Sequence, residues 1–407
     1  MLNDLWLLLS AILVLTGLIA SKGLLIVVGS LVIIIWLLTK FWNHFAFRDV
    51  THSRSLSRHR AFIGDTLDYT VSLTNEKIIP LIWVDIQDSF PADLELLGVN
   101  LRSTGTELTK EHRITSSLLP YQRVSWKYSL RCDRRGYHRI GPVRLRSGDI
   151  FGFTAAEVNL TEVEHLLVYP RMVALDQLVW PSENPLGGSK GQLPIYQDTS
   201  RFIGLRDYDP RDPLKHIDWK ATARRSSIQT KKFEPVVALK VLIALNARTN
   251  EHAWQGANRR LFERAVTVAA SVAKHCFDQR FSFGLLSNGV AVYSGKWINL
   301  KISNSSSQLD VVLEALAMAG QYAVASLPEV LRAERASMPP GTTVAIVTSL
   351  LTEALAEEIR EIKSRGYQVV VFYSGDGGPR IELPGVPIYQ TGRGLDAVEK
   401  DEQVRTG

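Results

Sequence analysis

Residues 206–225 hold the densest group of side chains in this chain that could carry chemistry. Two Asp-Pro pairs, at 209–210 and 212–213, open the stretch, and they predict successive turns because proline fixes its own φ and restricts the residue before it. His216, Asp212 and Asp218 could exchange protons with a substrate if burial shifted their pKa values. A hydrolase site is therefore one interpretation of this cluster.

Two other interpretations fit the same stretch. Guanidinium groups match carboxylates through paired hydrogen bonds, which predicts a structural network of ion pairs. The pairs would join Arg206 and Arg224 to Asp212 and Asp218. Alternatively the stretch is a partner-recognition surface, since Arg, Tyr and Trp are enriched at interface hot spots. Ile217 and Trp219 are the large apolar side chains that follow the turns, so we expect them to dock on a neighbouring domain.

The spacing of this stretch also carries a resemblance. The pattern R-x-Y-x-P-x-D-x5-D-W-x3-A-R, followed by Lys-Phe-Glu at 232–234, resembles the signature of a bacterial family called domain of unknown function fifty-eight. The resemblance implies a von Willebrand factor A-like domain downstream of the motif and, usually, membrane helices upstream. We predict that the motif residues serve partner or interdomain docking; they are Arg206, Tyr208, Asp212, Asp218, Trp219, Arg224, Phe233 and Glu234.

A function follows from the resemblance as an expectation. Such proteins are often encoded with a MoxR-type AAA+ ATPase and are thought to act on envelope components in a chaperone-like way. The implied role is a membrane-anchored scaffold or adaptor that is not an enzyme and has no cofactor. No glycine-framed nucleophile, Cys-His pair or metal-ligand spacing occurs in the sequence, and the glycine run at 187–191 lacks the phosphate-loop order. A hydrolase site within 206–225 remains the alternative.

The first forty residues are almost entirely apolar. Runs at 5–20 and 24–38, separated by a turn that contains Lys22, predict a hairpin of two transmembrane helices, with Gly17, Ala20, Gly29 and Ser30 allowing close approach. A buried soluble hairpin and a cleaved signal peptide are the alternatives, but the start lacks the basic segment of a signal peptide. Five basic residues follow the second run, and the positive-inside rule then places the later domains in the cytoplasm. They are Lys40, Arg48, Arg54, Arg58 and Arg60.

The net charge of +6 is local rather than spread along a stripe. Much of the excess comes after the apolar region, so membrane topology explains it better than nucleic-acid binding, and we expect no nucleic-acid partner. The two cysteines, Cys132 and Cys276, have no metal-type spacing and fit a reducing compartment.

The rest of the chain predicts two architectures in succession. Residues 66–75 alternate apolar and polar side chains, and similar short strands broken by turns predict an antiparallel β-sandwich. Beyond 235, apolar runs alternate with amphipathic helices, which predicts a doubly wound, Rossmann-like α/β sheet. Its strands are expected at 236–245, 281–286, 290–293, 343–348 and 368–373, with the second and third joined as a hairpin by the Ser-Asn-Gly turn at 287–289. The predicted boundaries are 1–43 for the hairpin, 44–172 for the sandwich, 173–235 for the connector with the motif, 236–390 for the α/β domain and 391–407 for a polar tail.

The first α/β strand ends in a sequence that bears on metal binding. The resemblance implies a divalent cation held there by D-x-S-x-S, but Asn246 and Arg248 stand where the aspartate and first serine would be. Ser349, after the later strand, stands where such domains often have an aspartate. Hard cations need anionic oxygen ligands, so we predict no useful Mg²⁺ affinity and no metal residues.

Overall fold

The computed structural model describes residues 2–106, 108–148, 155–178, 195–209, 214–237, 239–291, 294–392 and 394–397. The glycine run at 187–191, Asp212 and the end of the polar tail lie outside the described residues. The chain divides into two compact units, Met1–Tyr169 and Pro170–Gly407.

The first unit begins with helices α1 (Leu2–Ile19) and α2 (Gly23–Phe45). By length and composition α2 can cross a membrane, while the apolar part of α1 is the shorter segment Leu7–Ile19. The helices approach closely at two of the expected small residues: a Cβ on Gly17 would lie 2.9 Å from Ile26 Cγ1, and one on Gly29 would lie 2.6 Å from Val14 Cγ2. The expectation that Lys40 follows the second helix is wrong, because α2 continues through it and its amine lies 5.4 Å from the centre of the Trp36 ring.

Twelve strands make up the described remainder of this unit. They are β1 (Val50–Leu56), β2 (Arg60–Phe62), β3 (Thr66–Asn75), β4 (Leu81–Pro91), β5 (Glu95–Leu96), β6 (Arg102–Ser103), β7 (Thr109–Leu118), β8 (Arg123–Arg131), β9 (Gly136–Ile140), β10 (Val143–Gly148), β11 (Ala155–Leu160) and β12 (Glu164–Tyr169). They form sheets with the orders β1-β3-β8-β5, β11-β10-β4-β7-β6 and β2-β12-β9. Strand β3 has the predicted bounds, and its buried side chains join those of β4 and β12 in one apolar core. This region is β-sandwich-like.

A carboxylate, a guanidinium and a phenol form a hydrogen-bonded group within this unit. Asp88 of β4 is fully buried, and its carboxylate accepts hydrogen bonds from the Tyr69 hydroxyl and, at 2.9 Å, from the Arg54 guanidinium. Arg54 also donates to the carbonyl oxygens of Ile140 and Glu162. Burial raises the pKa of Asp88 to about 6, although Arg54 and Tyr69 both act to lower it.

The second unit opens with α3 (Leu175–Leu178), β13 (Ile195–Asp207), α4 (Trp219–Arg225) and β14 (Gln229–Val237). A seven-stranded sheet comes next, built from β15 (Lys240–Leu245), β16 (Ser282–Ala291), β17 (Trp297–Ser303), β18 (Ala319–Ala323), β19 (Thr342–Thr348), β20 (Gln368–Tyr373) and β21 (Ile388–Gln390). Its helices are α5 (Arg259–Asp278), α6 (Gln308–Ala317), α7 (Leu327–Glu334) and α8 (Glu353–Ser364).

The sheet runs in the order β17-β16-β15-β19-β20-β21, and β18 pairs with β16. All pairs in that order are parallel except β16 with β17. On one face of the sheet, Leu242 and Ala244 of β15 pack with α7 and α8. The alternate residues of β15, which point to the other face, are also buried, and α5 contacts this strand. Both faces are therefore covered, as the continuous apolar run of β15 requires.

Two of the strand predictions for this unit are wrong. The run at 236–245 is split, because Val237 ends β14 and β15 begins only at Lys240. The Ser-Asn-Gly segment at 287–289 is no hairpin turn: β16 continues through it with Asn288 fully buried, and β16 pairs instead with β17. A buried asparagine can stay in a strand when its amide is fully hydrogen-bonded, and that is the case here.

Candidate functional site

The motif forms an elaborated antiparallel pair of strands. Strand β13 pairs with β14 so that Arg206 lies opposite Thr230 and Asp207 lies opposite Gln229. Between the strands come a 3-10 turn, Leu214–His216, and helix α4, which ends at Ser226 in the left-handed conformation with φ 55°. The connection returns to the same strand pair, since Ile217 forms an isolated bridge with Thr230.

Gln229 holds these parts together, although no pattern in the sequence pointed to it. Its side chain is buried and donates to Asp207 Oδ1 at 2.6 Å and to Ser227 Oγ at 3.1 Å. Its N–H donates to Thr222 Oγ1 at 3.0 Å, and its carbonyl accepts from the N–H of Asp218 at 2.9 Å. The hydroxyl at position 222 therefore joins helix to strand, a role that serine could also fill.

Asp218 has a different role from the predicted ion pair. Its carboxylate caps α4 by accepting from the N–H of Ala221 at 3.0 Å. Arg224 sits in the last turn of the same helix, about 9 Å further along the axis at 1.5 Å per residue. The predicted pairing of Arg224 with Asp218 is therefore wrong. Within the described part of the chain, Arg224 is exposed and forms no ion pair.

The two apolar residues of the motif have opposite environments. Ile217 is buried, with 7% of its surface exposed, whereas Trp219 is 69% exposed. The expectation that both dock on a neighbouring domain of this chain is wrong for Trp219. Leu214, at 70% exposure, lies on the preceding 3-10 turn. Within the described residues 214–225, between β13 and β14, the positively charged side chains are Lys215, Lys220, Arg224 and Arg225, and all four are exposed.

The remaining motif residues are placed less completely. Arg206 is exposed, with its guanidinium 3.4 Å from the carbonyl oxygen of Asp207, and the N–H of Tyr208 donates to the carbonyl of Ile228 at 2.9 Å. Phe233 and Glu234 belong to β14, opposite Phe202 and Asp198. Asp212 lies outside the described residues, so its predicted pairing with Arg206 stays a prediction.

The end of β15 holds a second group of polar residues. The carboxyl ends of β15 and β19 are adjacent, and Asn246 Nδ2 donates to Thr348 Oγ1 at 3.0 Å. Asn246 Oδ1 accepts from Asn288 Nδ2 at 3.2 Å and from the N–H of Arg248 at 3.1 Å. Thr348 Oγ1 in turn donates to the carbonyl of Leu350 at 2.6 Å.

This network occupies the atoms that a cation would need. The amide oxygen of Asn246 already accepts two hydrogen bonds, and a neutral amide is a poor replacement for a carboxylate ligand. Ser349 is buried, and its hydroxyl has no hydrogen-bond partner among the described residues. Across the described ranges, no group of three or more His, Cys, Asp and Glu side chains is arranged to hold a metal ion. The predicted lack of Mg²⁺ affinity stays a prediction, now with a structural reason.

Comparison with known proteins bears on the motif and on the α/β domain after it. Residues 204–373 match the family described as "Protein of unknown function DUF58", which supports the resemblance of the motif to this family. The chain is also 27% identical over 245 residues to "Uncharacterized protein YeaD" of Bacillus subtilis. That match covers 60% of this chain and 56% of the relative, so the chain spans little more than half of the relative's length.

Solved structures resemble parts of the chain only distantly. An α2-macroglobulin of Escherichia coli is 18% identical, with a TM-score of 0.23 over 30% of this chain and 17% of its own. A CARDB domain from Pyrococcus furiosus is 14% identical, with a TM-score of 0.19 over 30% of this chain and 92% of its own. A cohesin from Archaeoglobus fulgidus is 13% identical, with a TM-score of 0.21 over 29% of this chain and 91% of its own.

Proposed function

We propose that this protein is a membrane-anchored, non-enzymatic scaffold or adaptor that docks a cytoplasmic partner through the surface of α4, and that the partner is a MoxR-type AAA+ ATPase. The observation that carries the docking role is the exposure of Trp219 on α4. Asp218 caps this helix, and a hydrogen bond from Gln229 to Thr222 ties it to β14. An exposed tryptophan on a helix that is held in place supplies a large apolar contact to a partner.

The charges around this tryptophan define the complementary surface. Lys215 on the 3-10 turn and Lys220, Arg224 and Arg225 on α4 are also exposed, so an acidic face on the partner would be attracted and oriented. Asp218 and Asp207 are already engaged within the motif, by the N–H of Ala221 and by Gln229. These contacts support a structural role for the carboxylates more directly than a hydrolytic one.

Two finer assignments belong to the same proposal. Helices α1 and α2 form a transmembrane hairpin, supported by their close packing at Gly17 and Gly29 and by the length of α2. Residues 240–390 form a von Willebrand factor A-like domain, supported by the mostly parallel sheet with Asn246 at the end of its first strand. In this arrangement the α/β domain serves chaperone-like assembly or envelope maintenance without a bound metal.

The test measures binding of the detergent-solubilised full chain to a purified MoxR-type ATPase from the same organism, with and without ATP. Trp219→Ala should weaken binding at least about thirtyfold, the scale of an interface hot spot, while leaving the unfolding temperature unchanged. Leu119→Ala is the matched control, because that side chain is 66% exposed in the other unit. His216→Gln should bind normally. Equal binding by the Trp219 variant, or a hydrolytic activity lost in the His216 variant, would contradict the proposal.

A further inference from the structure

A cleft lies beside the network at the carboxyl end of β15. It has a volume of about 320 Å³ and is walled by the loop after β15, by the segment before α5 and by residues 321–326, which lead from β18 into α7. Parallel sheets bind ligands beyond the carboxyl ends of their strands. Strands β15 and β19 are adjacent at this edge of the sheet.

Arg248 gives the cleft its charge. It is one of the lining residues, and within the described part of the chain its guanidinium forms neither an ion pair nor a hydrogen bond. No acidic side chain is among the described lining residues. Glu329, which interacts electrostatically with Arg248, hydrogen-bonds to the N–H of Ser326 at the start of α7. The guanidinium therefore keeps its paired donors available for a carboxylate.

Aromatic side chains stand at the same place. Tyr322 lines the cleft and is 64% exposed, and Val324 beside it is 45% exposed. His252, another lining residue, stacks on Trp254 with ring centres 5.8 Å apart and planes 9° apart, and Trp254 is 82% exposed. The cleft is therefore lined by an arginine and an exposed tyrosine, and an exposed tryptophan stacks on a third lining residue. Arginine, tyrosine and tryptophan are the residue types enriched at interface hot spots.

We infer that this cleft binds an acidic peptide segment of a partner protein. Arg248 pairs with an aspartate or glutamate of the segment, and a neighbouring apolar side chain packs on Tyr322 and Val324. The cleft thus offers the positive charge of Arg248 at the edge of the sheet where Asn246 replaces the anionic ligand that a cation would need. This inference does not rest on the α4 surface, because it uses different residues.

The experiment selects peptides from a random display library on the full chain in detergent, then measures binding of the selected fluorescent peptides by anisotropy. The selection should enrich sequences with an acidic residue beside an aromatic or aliphatic one. Arg248→Ala should weaken binding about tenfold to a hundredfold, the scale of a hydrogen bond to a charged group, and Tyr322→Ala should weaken it about tenfold. Arg380→Ala, at an exposed arginine that does not line the cleft, should have no effect.

Two results would overturn the inference. One is a selection without acidic sequences, or acidic peptides that bind the Arg248→Ala variant as tightly as the unchanged chain. The other is competition by inorganic phosphate or succinate at concentrations near the peptide's own Kd, which would identify a small-anion site. Unfolding temperatures of the variants should match that of the unchanged chain, because Arg248 is only half-buried and Tyr322 is exposed.

Discussion

The side-chain amide nitrogen of Gln229 lies 2.6 Å from Oδ1 of Asp207, the residue opposite it in the strand pair. The same glutamine accepts at its carbonyl from the residue that caps α4. The exposed helix and the two strands are thus joined through one buried side chain and its backbone. Gln229 thus holds the exposed surface of the motif in place, although its own side chain is buried.

Replacing Gln229 should therefore loosen the motif. We expect Gln229→Ala to lower the free energy of unfolding by about 2 kcal/mol, from lost hydrogen bonds and a small cavity. Gln229→Glu should be at least as harmful at pH 7, since it brings a second carboxylate against Asp207. Chemical unfolding of the full chain in detergent measures both, with the exposed Arg224→Ala as the control, expected within about 0.5 kcal/mol. A Gln229→Glu variant as stable as the unchanged chain would show that the hydrogen bond between Gln229 and Asp207 does not contribute to stability.

Asp218 separates a structural carboxylate from a catalytic one. As a helix cap, Asp218→Ala should cost about 1 kcal/mol of stability, and Asp218→Asn should cost little because asparagine caps equally well. Asn at this position should also retain binding to the ATPase. Thermal unfolding and the binding assay together distinguish a helix cap from a catalytic group, since a general acid or base would lose its function on replacement by the neutral amide.

The strands and helices with clear periodicity could be predicted from sequence, and the site could be predicted only in part. The alternation at 66–75 fixes β3 because one face is buried, and the inner stripe of α5 is buried as its spacing requires. The strand through Asn288 was predicted wrongly as a turn because Ser-Asn-Gly is a local turn signal. The actual conformation of this segment depends on hydrogen-bond partners that are distant in sequence, such as Asn246. Local charge spacing likewise could not show that Asp218 caps its helix or that Trp219 is exposed.

The network at the end of β15 predicts the effect of restoring a carboxylate. Asn246→Asp loses the donor to Thr348 Oγ1, whose own proton goes to Leu350, and it buries a charge. We expect a loss of about 2 to 3 kcal/mol of stability and no Mg²⁺ binding by calorimetry for either chain, because Arg248 remains. Asn304→Asp, at an exposed position, should change neither measurement. A stoichiometric Mg²⁺ isotherm from the unchanged chain would contradict this.

The proposed orientation can be tested with cysteines. Lys22→Cys, in the turn between α1 and α2, should react with a membrane-impermeant maleimide on intact cells, whereas Ser306→Cys should react only after permeabilisation. The native thiols should react slowly, because burial raises the pKa of Cys132 to about 11 and of Cys276 to about 12. The reverse labelling pattern would place residue 306, and with it the second unit, outside the cytoplasm.

The buried Asp88 predicts a pH dependence with a definite sign. Its pKa is raised from 3.8 in the unfolded chain to about 6 in the folded one, chiefly by burial. The folded state therefore favours the protonated form, and the resulting stability is present below about pH 4 and lost as pH rises through 6. Relative to Asp88→Asn, which does not titrate, the unchanged chain should lose about 2 kcal/mol between pH 4 and pH 7.

Other buried groups titrate in the same range, and the comparison of variants removes their effect. Burial lowers the pKa of His52 and of His112 to about 4, so both oppose Asp88 by destabilising the fold as pH falls below their unfolded pKa of 6.5. Because both chains contain these histidines, their contribution cancels in the difference. Urea unfolding of the two chains at pH 4, 5, 6 and 7 gives that difference directly. A flat difference would mean that the Arg54 guanidinium fully offsets the effect of burial on the pKa of Asp88. A difference that favours the unchanged chain as pH rises would mean that Arg54 outweighs burial.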